Sequence, residues 1–464
     1  MKKLVAIIFL ILSSTFSFGQ DSTSTRTLTY EEFINQVMSD HPIVFQSDIV
    51  QRTGEALVRA ARGNFDPKLF GDINQKYFKD KQYYSRANGG ITIPTWFGIS
   101  GEAGYTVNDG VFLNPENRVP DAGLWYAGLR LELGNGLIID KRRAELKKAK
   151  IYRESNEQEQ RMMLNQLRLD ASLAFWKLLQ AYQKVEVYSN ALRNARERFQ
   201  GIVRTAEFGD RADIDTVEAK ILVQDREIVY MEALTKLQNA EAQVELYMWT
   251  QGSIPLEMEN VVPMVGNKTL ERMETKPDGI DSLLANHPYL LLNQFKMEQS
   301  QVEIQLKREQ LKPKLTLKYN AISEPINNNP FSEYAIENYT WGAKIAYPIL
   351  TRKERGNLQL ARLKLEDQKL KNNLIGAELN YKVQVVWNDY QLAFDQMNLY
   401  RNIVENNTTM YNSELTLFNL GESSVFMINS RENKLLKSQI KLIEVENACR
   451  ALESLFDWNT FLTM

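Results

Sequence analysis

Residues 171–203 read ASLAFWKLLQAYQKVEVYSNALRNARERFQGIV. Ala171, Phe175, Leu178, Tyr182, Val185, Leu192, Phe199 and Val203 fall at alternating spacings of four and three, broken only by Ser189 and Arg196. That spacing is the seam of a coiled-coil helix. The surrounding stretch, Lys141–Phe208, holds no proline over its 68 residues. At ~1.5 Å per residue it predicts a rod on the order of 100 Å long.

The same stretch recurs 212 residues later. With Lys141 set on Lys353, Phe175 meets Trp387, Leu178 meets Tyr390, Tyr182 meets Phe394 and Val185 meets Met397. Leu192 meets Val404, Phe199 meets Tyr411, and Gly209 meets Gly421. So many matches in register mark an internal duplication. All 13 prolines lie outside the two long tracts, with none between Pro120 and Pro255 and none after Pro348.

The N-terminus has Lys2-Lys3, an apolar run Leu4–Leu12 and a small-residue end at Ser17-Phe18-Gly19. These describe a secretory signal peptide over 1–19. No later apolar run is long enough for a transmembrane helix, so entry into a membrane would have to be as a β-barrel. With 56 basic and 58 acidic residues and a net charge of −2, nothing argues for nucleic acid. The single cysteine, Cys449, excludes an internal disulfide and a cysteine metal cluster.

Thr29 and Glu32 form a capping box with Leu28 and Phe33 as a staple, so a helix is expected over 29–62, pausing at Asp40-His41-Pro42. Its copy is expected over 278–310, at an offset of 246, which sets His41 on His287. These are the only two histidines. No other ligand-type cluster accompanies them, so they read as marks of a helix break.

Between Lys68 and Gly136 the period changes to two. Leu69–Tyr77, Gly90–Trp96, Ile99–Thr106 and Tyr126–Leu133 alternate apolar and polar residues, as do Leu315–Tyr319 and Thr340–Ile349. The run Asn327-Asn328-Asn329-Pro330 reads as a loop between the last two. Such strands suit an apolar-out, polar-in barrel, with Trp96, Trp125, Tyr126, Trp341 and Tyr347 as interfacial aromatics. A soluble β-layer shares the alternation. The difference between the two offsets makes the first strand region 34 residues longer, enough for an extra hairpin around Gly89–Val107.

Each long helix ends at a glycine turn, Phe208-Gly209-Asp210 or Leu420-Gly421-Glu422, and a return helix follows. The expected plan is a first repeat over 20–250 (helix 29–62, strands 68–136, long helix 141–208, return helix 211–249). A connector over 251–277 leads to a second repeat over 278–464 (helix 278–310, strands 314–349, long helix 353–420, return helix 424–457). No phosphate loop, nucleophile elbow, zinc motif or cofactor motif is present in the sequence.

This order resembles the TolC family of outer-membrane efflux proteins over residues 28–460. The resemblance is carried most specifically by Phe208-Gly209-x4-Ile214-Asp215-x-Val217-x-Ala219 and Leu420-Gly421-x2-Ser424-x-Phe426. The junctions Leu133–Arg143 and Pro348–Arg355 are similar as well. The resemblance implies a mainly α chain with a membrane β-barrel portion, its coiled-coil helices pooled into an α-barrel tunnel in a homotrimer embedded in outer-membrane lipid. It also implies a duct that docks onto a periplasmic adaptor and an inner-membrane pump, for efflux or type I secretion. The family's simplest plan has four strands per chain, from which the extra hairpin departs. Phe208, Gly209, Asp210, Asp213, Leu420, Gly421, Glu422 and Ser424 are the candidate residues of a periplasmic docking tip or gate. Two other classes share parts of the pattern: a periplasmic structural coiled-coil protein with a soluble β-cap, and a hydrolase within the strand regions.

Overall fold

The computed structural model describes residues 26–209, 212–252, 254–257, 261–266, 269–273, 284–324 and 334–461. The signal peptide reading, Asp210 and the loop at 327–330 lie outside the described residues. The chain divides into two compact units. One comprises 1–41, 170–272 and 392–451; the other comprises 42–169, 273–391 and 452–464.

In chain order, β1 (Arg26–Thr29) leads into α1 (Tyr30–Asp40) and α2 (Pro42–Gly63). Four strands follow: β2 (Lys68–Phe78), β3 (Lys81–Pro94), β4 (Ile99–Asp109) and β5 (Leu124–Gly134). Then come α3 (Lys141–Glu207) and α4 (Asp213–Glu245). The short strands β6 (Trp249–Thr250), β7 (Ile254–Pro255) and β8 (Val261–Met264) form the connector. The second half holds α5 (Pro288–Glu309), β9 (Lys314–Ser323), β10 (Tyr339–Ala346), α6 (Arg352–Asn419) and α7 (Val425–Thr460).

Local chemistry sets the helix starts. Thr29 Oγ1 accepts from the Glu32 N–H, and Glu32 Oε2 accepts from the Thr29 N–H, closing the capping box of α1. Asp140 performs the same service for α3, accepting from the Arg143 N–H at 2.8 Å. Burial works to raise the Asp140 pKa, but bonds from Arg143 and Arg142 hold it below its ordinary value. A charged cap at a helix N-terminus is also favoured by the helix dipole.

In the second unit all six long strands form one sheet, in the order β10-β9-β5-β4-β3-β2, with every neighbour antiparallel. The extra first-half hairpin therefore lies within the sheet. Beside it, α2 meets α3 where Asn156 donates to the Val50 carbonyl at 2.6 Å. Between α3 and α5, Ile139, Ala144, Ile151, Val302 and Leu306 form an apolar core. Farther along, Ser300 on α5 donates to Gln368 on α6 at 2.7 Å. The four helices thus stand as successive neighbours, α2–α3–α5–α6.

The first unit packs α1, α4 and α7 on the later part of α3, and α6 beside α7. Phe33 and Phe175 are fully buried and stacked, with centroids 5.4 Å apart. Each contributes about 2–3 kcal/mol through apolar burial. The inner face of α4 holds Ala219, Arg226, Ala233 and Ala240, one residue per heptad, and three small side chains permit close helix approach. Ile214, Val217, Ile221, Ile228 and Met231 form a second stripe on α4, which is more than half exposed in the single chain. Exposed Leu392, Leu399, Ile403, Met410 and Leu417 form another stripe on α6.

The one arginine in the alanine row explains itself through its partners. Glu432 on α7 accepts from Arg198 on α3 at 3.0 Å through both carboxylate oxygens, and lies 3.9 Å from Arg226 on α4. The side chains of all three are under a tenth exposed. Asn429, Tyr411 and Asn433 complete the network. Burial opposes the charge on both guanidiniums; at Arg198 the bonds and charge of Glu432 outweigh it, and at Arg226 burial prevails. Breaking such a cluster costs more than it contributes when intact, because it strands the remaining charges. Glu432→Gln is expected to destabilise the helical fold by about 3–5 kcal/mol, read as a lower denaturation midpoint of the helical circular dichroism signal.

Candidate functional site: paired helical turns and a two-faced sheet

The two glycine turns share one geometry. Gly209 and Gly421 both have φ of +78°, and a Cβ built on either meets nothing within 4 Å. Backbone conformation is therefore the reason for glycine here. At the second turn the Glu422 N–H reaches the Leu417 carbonyl at 2.9 Å, and the Gly421 N–H reaches that of Phe418 at 3.1 Å. This pair of bonds is a Schellman ending. At the first turn the Gly209 N–H reaches the Ala206 carbonyl at 2.9 Å, the equivalent inner bond.

The predicted tip residues gather at these turns. Phe208 and Leu420 occupy equivalent places and are 82% and 69% exposed, an unusual display of two large apolar side chains. Asp213 opens α4, next to a second first-turn acid, Asp215. Ser424 Oγ caps α7 by accepting from the Met427 N–H. Glu422 contributes its backbone N–H to the turn. Within the same unit, Ile202 on α3, Ala219 on α4 and Val425 on α7 share one apolar cluster, with Phe199 and Phe418 packed on it. The two turns are therefore tied together.

Strand register brings out a second feature. Successive partners on one face run Ile73, Ala87, Val107 across β2, β3 and β4, and Leu129, Tyr319, Trp341 across β5, β9 and β10. Leu69, Ile91, Ala103 and Ala127 lie on the same side, and charge there is confined to Asp109 at the end of β4. The opposite face is polar. Glu102 there pairs with Arg130 at 2.8 Å and Lys318 at 3.0 Å. Trp125 and Trp341 lie on the apolar face, and Trp96 and Tyr347 are exposed just beyond strand ends. Tyr126 is a correction to the interfacial set. It stands on the polar face, where its hydroxyl donates to Asn88 at 3.0 Å and its ring covers Gly104.

The histidines end as structural groups. His41 terminates α1 through its backbone N–H to Val37. His287 caps α5, its Nδ1 accepting from the Tyr289 N–H at 3.2 Å. Each packs edge-on against an aromatic residue just past a return helix, His41 on Trp249 and His287 on Phe461. Among the described residues no group of His, Cys, Asp and Glu is arranged to hold a metal. Nor does any described helix have the length and apolarity to cross a membrane.

Residues 279–455 match the family model described as Outer membrane efflux protein. No curated protein sequence matches the chain. Among solved structures, the outer-membrane channel OprN superposes with a TM-score of 0.70 at 12% identity, over 93% of this chain and 89% of that one. The Neisseria gonorrhoeae MtrE outer membrane channel gives 0.69 at 12% identity, covering 93% and 88%. The Campylobacter jejuni CmeC outer membrane channel gives 0.64 at 12%, covering 93% and 85%. The family model spans under half of the chain, and the solved structures share its fold.

His287 sets a pH dependence. Burial first, then the charges of Lys382 and Arg161, lower its pKa to about 4, and its Nε2 has no hydrogen-bond partner. The unfolded chain binds this proton more readily, so stability is full above about pH 6.5 and falls as pH drops toward 4. His287→Asn, which retains an acceptor at the cap, is expected to flatten the fall in thermal midpoint between pH 6.5 and pH 4.

Proposed function

We propose that the protein is the exit duct of a tripartite efflux or type I secretion system, passing substrates from an inner-membrane pump across the outer membrane. The observation that carries this reading is the sheet with one apolar and one polar face. Lipid accepts the first and water the second, which is the arrangement of a transmembrane barrel. An open sheet is not stable in lipid, since unpaired edge groups cost several kcal/mol each. Among the described residues, β2 and β10 each have only one strand neighbour.

The free edges carry their own remedy. β10 leads into α6, whose Leu360, Leu363, Leu370, Leu374 and Tyr381 form an exposed heptad stripe. α2 leads into β2 and exposes Phe45, Ile49 and Leu57. One edge of the chain therefore complements the other in kind, strand to strand and apolar helix to apolar helix. A contact between unlike surfaces propagates head to tail, and the closed form is a ring. In the ring, six strands tilted at ~40° and ~4.8 Å apart occupy roughly 38 Å of circumference per chain. Four helices ~9.5 Å apart occupy about the same. The strand and helix rings therefore match for any number of copies. The family resemblance favours three, giving eighteen strands in all, a size that leaves an aqueous bore.

The paired turns serve in this reading as the periplasmic tip that meets the adaptor. Phe208 and Leu420 offer apolar anchors, and Asp210, Asp213, Glu422 and Ser424 a polar rim. The protein supplies a path, and the partner pump supplies the energy. A periplasmic coiled-coil protein with a soluble β-cap would not need the apolar face to be continuous over six strands.

Leu363→Glu with Leu370→Glu is expected to stop assembly of the ring, leaving single chains in detergent sizing. Assembly that persists at the size of three chains would show that this stripe is not the subunit contact. Gly209→Pro or Gly421→Pro is expected to abolish export, measured as drug tolerance or secreted cargo, while detergent-stable rings still form. Unaltered export in both would remove the turns from the docking role.

A further inference from the structure

The polar face of the sheet is unbalanced in charge. Three carboxylates lie on it, and each is already engaged. Glu102 holds Arg130 and Lys318; Glu132 holds Lys314 at 3.4 Å; Asp72 accepts from Asn74 and Asn88. Lys68, Lys76, Lys81, Arg86 and Lys344 stand on the same face by register, and none has a carboxylate partner among the described residues. Lys76 and Arg86 instead lie over the rings of Tyr83 and Tyr84, 4.8 and 5.1 Å from the centroids. These contacts position the cations without cancelling their charge. The face therefore carries five more positive than negative side chains.

A solvated helix face tolerates such a surplus easily; a barrel interior does not. Low-dielectric walls focus the field of the lining charges and raise the local concentration of the opposite ion. The surplus cannot vanish on ring closure. A seam between β10 of one copy and β2 of the next brings Lys344 near a strand that carries Lys68, Asp72 and Lys76, which changes pairings and leaves the sum as it is. The cations also span the sheet, with Lys68 and Lys76 on β2, Lys81 and Arg86 on β3 and Lys344 on β10.

We propose that the strand-lined bore selects anions, so that the cargo it favours is acidic: solutes bearing phosphate, carboxylate or sulfonate groups. This deepens the duct reading and rests on it, since the polar face must line the passage. The outward apolar face makes no claim on the cargo.

The test uses the full chain reconstituted in planar bilayers, with tripolyphosphate as the probe, added in turn to each compartment at low ionic strength. Tripolyphosphate is expected to block the ionic current. The triple variant Lys76→Glu, Arg86→Glu, Lys344→Glu is expected to weaken that block on the order of tenfold or more, and to shift the zero-current potential in a KCl gradient toward cation selectivity. Lys76→Gln, Arg86→Gln, Lys344→Gln, a gentler change at three positions with no ion pair to lose, is expected to give an intermediate block. Detergent sizing confirms that each variant still assembles. No block of the unaltered channel, or a block equal in all three proteins, overturns the inference while leaving a working duct. An absence of any conducting channel would instead remove the duct reading itself.

Discussion

The structure depends on one constraint: a six-stranded sheet with an apolar face, a polar face and, among the described residues, two edges without a strand neighbour. Water can satisfy the edges but not the apolar face. Lipid can satisfy the apolar face but not the edges. In the proposed duct, closure on further copies of the same sheet meets both demands. The helices of that unit follow the same arrangement, since α2, α3, α5 and α6 stand as consecutive neighbours and the outer two leave apolar stripes unfilled. In the proposed ring, two unlike edges that complement each other are expensive in a monomer and stabilising once joined, so folding and assembly would be parts of one equilibrium.

The two halves follow one order of elements and differ most in the strand regions. The turns remain alike to the degree of φ, and the histidine caps retain both their place in the chain and their aromatic partners. The strand regions differ, with four strands before α3 and two before α6. Inserting two adjacent strands preserves alternation and direction, because a hairpin returns the chain to the same side of the sheet. A single inserted strand would have placed α3 on the wrong side. The extra hairpin is thus the smallest enlargement that leaves every helix junction intact.

Much of this was legible in residue spacing alone. The heptads of 171–203, the glycines closing both rods and the period-two runs are local signals, and the structure holds helices, turns and strands in those places. Other features needed three dimensions. Arg198, Arg226 and Glu432 lie on three helices and look like ordinary solvated charges in sequence; only the alanines at 219, 233 and 240 hinted that Arg226 lies on a buried row. Tyr126 shows the limit from the other side. Its neighbours alternate correctly, but which parity is the apolar one is decided by pairing with β4 and β9, and its hydroxyl follows the polar parity. The stripe on α4 was visible as an apolar periodicity, yet periodicity does not say whether the partner is in the same chain.

Charge gives the last step. The chain as a whole is net −2, close to neutral by composition, and that near-balance conceals a segregation. Because the polar face of the sheet holds a surplus of five cations, the remaining residues hold a net −7. A soluble protein gains nothing from placing its cations on one side of a sheet, where mutual repulsion destabilises the fold unless solvent or counterions relieve it. A passage does gain, because the counterion that relieves the repulsion is the cargo. On the proposed reading, repulsion within the bore and attraction for an acidic solute are the same free energy read in two states.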